Sequence, residues 1–572
     1  MKSFSTLLFT AFLCFSGNAF AQDGSPAPQN SLLPEINPQD IEIRSEFRAR
    51  FPGLRRQPIL GFNPKPRVFQ IDPNRMPFME SRDQAVANIS ITQLDRPEPP
   101  KKSVLEIPYR HSAFVKAGFG NYISPEFDGY FFSDLNDQSS ITGSVNFQSS
   151  GSHLDVPSGF RYLNGDVRYR NELKEDLTLT TDINFTSDFN RMFDLTTPVS
   201  PGITAAIPEK NYMGSGAELT LVQTNNSLEG WTATAGGNFY NTELSAETAT
   251  LNGETKEVTF NAGFSNKWAG QRLYETFSVN ADVDVGSYDN SASGAETWIM
   301  GTGGFQYRKM INFSLHLNAD AGAAYVKDAF SSRIYFTPEI TLRWNLRDAI
   351  TITGRVSGKP GMLTVQEHQQ ANRFLFGDIG LRHNYTSGAY GEIELQIIEG
   401  NRIFGGVSYE IIKDYSYYTR TAETGAGQTY YTYYDLNFGK ANVFELFGGI
   451  TQQLVPEKFW FDGRFYARSP KLDNGNTIPY HEKLGVNGSF SFKPVKELTL
   501  NSWAQYVGKR ASVSNGEDLS AFLLFNAGAE YRINKKFGVY VKVLNILGQN
   551  YELWDGYQER PLQVFGGITL NL

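Results

Sequence analysis

The chain has 572 residues, a formal net charge of −8, 40% hydrophobic and 14% aromatic residues, and 53 glycines. The acidic balance argues against nucleic acid as a partner, since no Lys- and Arg-rich tract interleaved with aromatic residues offsets it. Beyond the N-terminal leader, no stretch approaches the roughly 18 apolar residues that a membrane helix requires, which excludes a helical membrane protein.

Residues 1–21 are the first predicted element. Lys2 precedes the apolar run "LLFTAFLCF", and the small-residue ending "AFA" stands before Gln22, a pattern typical of a cleaved secretory signal peptide. Cys14, the only cysteine, lies inside that run. We therefore expect an exported chain with neither a disulfide nor a lipid anchor.

Residues 22–111 are predicted to form an extended N-terminal arm. Prolines crowd it, as in "NPKPRVFQIDP" and "RPEPPKK", and proline cannot build central strands. Within the arm, "IEIRSEFRARFPGLRR" places Ile43, Phe47 and Phe51 four residues apart, which indicates a short amphipathic helix. Its arginines form either a solvated basic face or a contact surface: Arg44, Arg48, Arg50, Arg55 and Arg56.

From residue 112 to residue 572 the chain consists of segments with a period of two. In "ITGSVNFQS", Ile141, Val145 and Phe147 share one face while polar side chains share the other. The best segments are about 9–12 residues long, which is enough for a tilted strand to cross a bilayer and longer than the usual strand of a soluble sheet. The pattern predicts strands that present one face to lipid.

The connections between these segments alternate between short and long. "ELKED", "RKM", "LRD" and "NKK" are short, whereas "RMFDLTTPVSPGITAAIPEK", "SYDNSASGAE" and "SPKLDNGNTIPYH" are long. Outer-membrane barrels have short periplasmic turns and long external loops. The sequence therefore predicts an all-β fold, a transmembrane antiparallel β-barrel of about 22 strands, with roughly 18 to 24 as the range.

In such a barrel the charged side chains face the lumen, because Arg or Lys at mid-membrane costs about 2–4 kcal/mol. About 22 strands enclose a lumen roughly 45 Å wide, and barrels of this size are plugged. Either the arm fills the lumen, through Arg44, Arg48, Arg55 and Arg56, or a separate partner does. The predicted lumen-lining residues are Asp166, Arg168, Arg170, Asp182, Asp282 and Asp284.

Two tyrosine-rich segments, "YSYY" and "TYYTYYD", flank the tip "AETGAGQ". One interpretation is an outer aromatic girdle at the boundary between lipid and water. The other is a platform on which a sugar or another flat ligand stacks. The candidate residues are Tyr417, Tyr418, Tyr430, Tyr431, Tyr433 and Tyr434.

The residue patterns of common enzymes are missing from the sequence. The 6 histidines are scattered, none forms HExxH, and no Ser, His and Asp grouping follows from spacing. "GFGNY" precedes no helix that could hold a phosphate. We expect a protein that is not an enzyme and has no catalytic residues, no metal site and no cofactor.

Three stretches carry a family resemblance: "TPEITLRWNLRDAITITGRVSGKPGMLTVQE", "ANVFELFGGITQQLVPEKFWFDGRFYAR" and the ending "KKFGVYVKVLNILGQNYELWDGYQERPLQVFGGITLNL", which contains Leu544, Asn545 and Tyr551. They resemble the barrel of TonB-dependent outer-membrane receptors, well over residues 331–572 and loosely over 112–326. Members of that family carry a folded plug domain and a segment that contacts an energising partner. Neither feature is recognisable in the Pro-rich arm.

The resemblance implies an outer-membrane transport protein that moves a solute with a partner or its arm as the plug. Expected partners are outer-membrane lipid and either a surface or periplasmic lipoprotein or an energising protein. The alternative is a structural barrel of a secretion or surface-assembly complex, whose lumen is permanently filled. A passive porin is disfavoured by the strand count.

Overall fold

A computed structural model describes residues 112–572 except 195–206, 227, 246–252, 273, 291–293, 348, 376–378, 399, 426–427, 456–457 and 513–517. The described chain forms a 22-stranded antiparallel sheet and a small two-stranded hairpin, β22 (Glu552–Trp554) and β23 (Tyr557–Gln558). The predicted arm and its arginines lie outside the described residues.

The strands of the large sheet follow one another in chain order. They are β1 (Ala113–Gly120), β2 (Ser124–Asn136), β3 (Ser139–Ser150), β4 (Phe160–Lys174), β5 (Leu177–Arg191), β6 (Glu209–Asn226), β7 (Glu229–Ser245), β8 (Gly253–Ala269), β9 (Glu275–Asn290), β10 (Gly294–Asn312), β11 (Leu315–Lys327), β12 (Ser332–Arg347), β13 (Ile350–Gly361), β14 (Asn384–Ile398), β15 (Asn401–Gly425), β16 (Gln428–Val455), β17 (Phe459–Leu472), β18 (Leu484–Val495), β19 (Leu498–Val507), β20 (Phe522–Arg532), β21 (Phe537–Leu544) and β24 (Gln563–Asn571).

The sheet closes on itself through its first and last strands. β1 pairs with β2 and also with β24, where Phe114 lies opposite Asn571. The backbone N–H of Ser112 donates to the carbonyl oxygen of Leu572 at 2.6 Å. Closure leaves no unpaired edge, so the backbone N–H and C=O groups of each strand find hydrogen-bond partners in the neighbouring strands. The predicted barrel of 22 strands is confirmed.

The two rims of the barrel differ in their connections. At one rim, the short-turn rim, the strands are joined by tight turns such as 137–138, 175–176, 313–314 and 496–497. The long connections all leave the opposite rim, the long-loop rim: 151–159, 192–208, 362–383, 473–483, 508–521 and 545–562. This segregation confirms the pattern predicted from the sequence.

Several strands are longer than the sequence suggested. β15 and β16 have 25 and 28 residues, and "SYDNSASGAE", which was expected to be a loop, lies largely within the ends of β9 and β10. The physical reason is that ladder hydrogen bonds continue as long as neighbouring strands stay in register. The alternation of apolar and polar residues that marks a lipid-facing segment ends where the strand leaves the bilayer. The hydrogen-bonded pairing between strands continues beyond that point.

One connection contains a helix, α1 (Val365–Ala371). Thr364 caps it: its side chain accepts from the N–H of Glu367, whose carboxylate accepts in return from the N–H of Thr364. A helix of 7 residues is too short to show a helical period, so the period-based sequence analysis did not predict it. In the part of the chain that is described, no helix combines the length and apolar character needed to cross a membrane.

The largest buried cluster lies inside the barrel at the long-loop rim. There, the described residues of the connections 362–383 and 545–562, together called the cap, pack against inward-facing wall residues. The cluster comprises Met192, Tyr212, Tyr240, Leu244, Tyr288, Trp298, Val365, Phe374, Leu375, Ile379, Leu381, Tyr434 and Tyr557. The barrel therefore has a packed core at one end.

Candidate functional site

Three of the predicted lumen residues lie together on the inner wall. Arg168 and Asp182 are opposite each other on β4 and β5, and Arg168 Nε lies 2.5 Å from Asp182 Oδ1. Ser144 on β3 donates its hydroxyl hydrogen bond to Asp166. Asp166, Arg168 and Asp182 border a cavity of about 330 Å³, whose other polar lining residues are Asn184, Glu218, Asn238 and Asn261.

A second cavity, of about 310 Å³, lies between this wall and α1. Asn184 and Asn238 line both cavities, so the two form one continuous polar groove under the cap. Gly216 leaves room for both asparagines, because a Cβ there would collide with the side chain of Asn238 and crowd that of Asn184. The second cavity is also lined by Tyr240, Glu257, Thr259, Thr364, Gln366, Glu367 and Gln370.

The groove offers amide, hydroxyl and carboxylate groups, with Arg168 the cation among its lining residues. Such a lining can donate to and accept from hydroxyl groups, whereas the excess of carboxylates disfavours an anionic ligand. Among the described residues, no group of three or more His, Cys, Asp or Glu side chains is placed to hold a metal ion. The arrangement fits recognition of a polar solute through hydrogen bonds.

The other predicted lumen residues lie outside the groove. Arg170 pairs with Glu172 at 3.2 Å, and both side chains are about half exposed. Asp284 on β9 is opposite Asn261, a groove residue on β8. Asp282 is opposite Gly263 and accepts a hydrogen bond of 3.4 Å from Asn280. The two carboxylates thus continue the wall next to the groove.

The tyrosines with described side chains take part in packing at the long-loop rim. Tyr434 is fully buried and donates to the carbonyl oxygen of Asp555 at 2.9 Å. Tyr418 lies against α1, where its hydroxyl is 3.3 Å from Nδ1 of His368. Tyr417 packs on a smaller apolar cluster. The side chains of Tyr430, Tyr431 and Tyr433 lie outside the described residues.

On one side, the cap is tied to strands β6 and β8. Both carboxylate oxygens of Glu257 accept from the first turn of α1, from the N–H groups of Val365 and Gln366 at 3.1 Å each. The fully buried Lys210 donates to the carbonyl oxygens of Arg373 and Leu375 at 2.9 and 2.8 Å. These contacts hold the segment around α1 above the groove.

On the other side, two arginines hold the second cap segment. Arg420 is 2% exposed and donates to Asp194 Oδ2 at 2.7 Å and to the carbonyl oxygen of Asp555 at 2.9 Å. Arg560 donates to Ser150 Oγ at 2.8 Å and to the carbonyl oxygen of Ser158 at 3.0 Å. Burial lowers the pKa of Arg560 to about 10, which leaves it cationic at neutral pH.

Sequence reasoning missed these cap anchors. A usable signal existed for two of them: Lys210 and Glu257 stand on the inward side of their strands, within a few residues of the long-loop rim. Charged side chains in those positions need hydrogen-bond partners, which are supplied either by water or by a loop that folds inward. The chain alone does not say which, because the loop partners are up to 165 residues away in sequence.

The fold was compared with solved structures. The ferric enterobactin receptor of Pseudomonas aeruginosa superposes with a TM-score of 0.63 at 11% identity, over 80% of each chain. The ferric-catecholate import receptor of E. coli K12 gives 0.61 at 9% identity, over 81% of this chain and 82% of that chain. The copper transporter OprC gives 0.62 at 12% identity, over 81% of each chain.

The chain has the barrel fold of TonB-dependent receptors. The resemblance inferred from the sequence is therefore confirmed at the level of the fold. No protein-family model matches the sequence, and no curated protein matches it. The structural matches include receptors and a copper transporter, and at these identities they establish the likeness of the fold.

Proposed function

We propose that this protein is an outer-membrane transport barrel, exported through its signal peptide, that moves a solute with the help of a partner or its N-terminal arm. The observation that carries the proposal is the polar groove inside a closed 22-stranded wall, directly beneath a cap made of loops. A wall that only supports other proteins needs no continuous hydrogen-bonding surface facing its lumen.

The groove favours a neutral or cationic solute rich in hydroxyl or amide groups. Its carboxylates would repel a multiply charged anion, and its asparagines can each donate and accept at the same time. What the structural neighbours carry, ferric siderophores and copper, differs among them, so it does not define the solute here.

The uptake experiment compares variants of the groove in reconstituted liposomes. Replacing Asn184 and Asn238 by Leu removes the amides shared by both cavities while keeping a similar volume. Uptake of a neutral oligosaccharide should fall at least tenfold, because unpaired solute hydroxyls cost about 1–3 kcal/mol each. Arg170→Gln, outside the groove, is the matched control, and uptake that is measurable and equal in all three proteins would refute the role of the groove.

A specific observation favours a second candidate function. The long-loop rim of the barrel contains an apolar core that includes the stacked rings of Phe374 and Tyr557. An apolar core at the rim also suits a structural barrel of a secretion or surface-assembly complex, whose lumen stays filled. Affinity purification from detergent-solubilised envelopes separates the two: an energising protein or a ligand-binding lipoprotein supports transport, whereas secretion components support the scaffold.

A further inference from the structure

Six exposed cations stand on neighbouring turns of the short-turn rim, where β17 begins, β18 meets β19 and β20 meets β21. These turns contact one another. The N–H of Lys493 donates to the carbonyl oxygen of Lys458 at 2.7 Å, and Arg532 Nη2 donates to that of Lys496 at 2.9 Å. The six residues, together called the basic arc, are Lys458, Lys493, Lys496, Arg532, Lys535 and Lys536.

The basic arc borders the inner lip of the opening at this rim. Arg532 follows Tyr531, Lys536 precedes Phe537, and both aromatic side chains are exposed in outward-facing rows of β20 and β21. Because successive side chains alternate between the two faces of a strand, Arg532 and Lys536 stand on the lumen side. Lipid headgroups meet the outer lip, so these cations are placed for a partner at the lumen.

The charges of the basic arc are not neutralised within the described part of the chain, where none of its members forms an ion pair. Elsewhere on the same rim a cation does have such a partner, since Arg402 Nε lies 2.8 Å from Glu394. Glu497 and Glu530 stand close to the arc in sequence, and the cations still outnumber these carboxylates. An uncompensated set of cations at an opening attracts an anionic group from outside the chain.

The same rim carries the opposite charge on another arc. The turns that join β2 to β3 and β4 to β5 are mostly acidic, with Lys174 as a cation among the carboxylates. A partner at this opening therefore meets cations on one side and carboxylates on the other, which favours one orientation of the partner because like charges repel. The exposed carboxylates of this acidic arc belong to Asp134, Asp137, Glu172 and Glu175.

We propose that the basic arc docks an acidic peptide segment of a partner protein at the short-turn opening of the lumen. The proposal rests on the transport function proposed above, in which a partner assists the barrel, and it states the charge of the segment that makes contact. Carboxylates of that segment meet Lys493, Lys496 and Lys536, while the acidic arc repels it from the other side of the opening.

The experiment measures fluorescence anisotropy of a labelled peptide of alternating Glu and Gly, added to the full chain in phosphatidylcholine nanodiscs. The peptide should bind the unaltered protein. Combining Lys493→Gln, Lys496→Gln and Lys536→Gln should weaken binding about tenfold, because each exposed charge contributes modestly. Raising the salt from about 50 mM to about 500 mM should also weaken binding to the unaltered protein, because salt screens exposed charges.

The matched control removes the same number of charges from the opposite end of the barrel and should keep the affinity of the unaltered protein. It replaces exposed lysines near the long-loop ends of β11, β13 and β15 by Gln: Lys327, Lys359 and Lys413. Each variant is first checked for the electrophoretic shift between unheated and boiled barrel. Binding is measured without solute, so a failure of the groove in uptake leaves this result standing, and the reverse also holds.

Several results would overturn the proposal. The unaltered protein could fail to bind the acidic peptide, or the variant of the basic arc could bind it as tightly as the unaltered protein does. A peptide of alternating Gln and Gly could bind equally well, which would remove the role of charge. Loss of binding in phosphatidylglycerol nanodiscs would show that lipid headgroups, and not a peptide, occupy the basic arc.

Discussion

At the scale of single residues, buried cations fasten the cap to the wall. Loop carbonyl groups have no sheet ladder to bond with, and leaving them unpaired in a dry core is costly. Lys210, Arg420 and Arg560 each donate to such carbonyls from the wall or from the cap. The cap thus owes its position to a few charged side chains as well as to apolar packing.

Arg420→Ala is expected to loosen the segment 545–562. The change leaves the carboxylate of Asp194 and the carbonyl of Asp555 without this donor, at a cost of about 2–3 kcal/mol for the closed cap. Hydrogen exchange in residues 552–558 should accelerate accordingly. Arg170→Ala, which breaks an exposed pair, should change exchange there by less than about threefold. Equal exchange in all three proteins would contradict the anchoring role.

Acid should open the cap through His368. Burial lowers the pKa of this histidine in α1 to about 4, against an ordinary value near 6.5. Below pH 6.5 His368 is protonated in the open state but stays neutral in the closed state. The closed state therefore loses stability as the pH falls toward 4, by up to about 3 kcal/mol.

Hydrogen exchange of residues 365–371, corrected for intrinsic rates, measures the effect of acid between pH 7 and pH 5. Burial also lowers the pKa of His153 and of His481, which stand in other connections. His368→Gln separates the contributions, since it should remove most of the pH dependence in α1. If protection of α1 stays constant down to pH 5, His368 is not the sensor.

At the scale of elements, α1 shows how a local signal and a distant partner combine. Thr364 and Glu367 form a capping box that the sequence already contains, "TVQE". Seven residues do not make a stable helix in water, so α1 depends on Val365, which is fully buried, and on the carboxylate of Glu257.

Thr364→Ala should destabilise α1 by about 1 kcal/mol, because the N–H of Glu367 loses its acceptor. The expected result is a roughly fivefold faster hydrogen exchange in 365–371 with an unchanged barrel. Thr364→Ser keeps the hydroxyl and is the control. A similar acceleration in both variants would show that the methyl group matters more than the cap.

At the scale of the whole molecule, the barrel combines a packed core at one rim with a polar wall below it. The apolar cluster of the cap lies at the long-loop end, while the groove and the carboxylates of Asp282 and Asp284 belong to the wall below it. Solute passage through such a barrel requires both that the cap moves and that the remaining lumen is not permanently filled.

Deleting residues 22–106 tests whether the arm fills that lumen. The arm carries Arg44, Arg48, Arg55 and Arg56, and the wall offers Asp166 and Asp282, so opposite charges would favour this occupant. In planar bilayers the shortened chain should then give large conductance steps that the full chain lacks. Unchanged conductance would assign the plug to a separate partner or to the cap alone.

The strands, their number and their two faces could be predicted from the sequence. The alternation of apolar residues such as Ile141 with polar residues such as Ser144 is a local property of the sequence. Each strand needs it because one of its faces meets lipid and the other meets the polar lumen. The placing of Asp166, Arg168 and Asp182 on one wall follows from the same period. Neighbouring strands are also neighbours in sequence, so little else was needed to predict the architecture.

The cap and the groove beneath it were decided only by the tertiary structure. Lys210 meets Leu375 across 165 residues and Arg420 meets Asp194 across 226, and no period links such partners. Long connections carry no pattern that says whether they extend into water or fold inward. Whether they fold inward depends on how much apolar surface Phe374, Leu375 and Tyr557 can bury together. The cluster that buries this surface forms only when the barrel has closed around it.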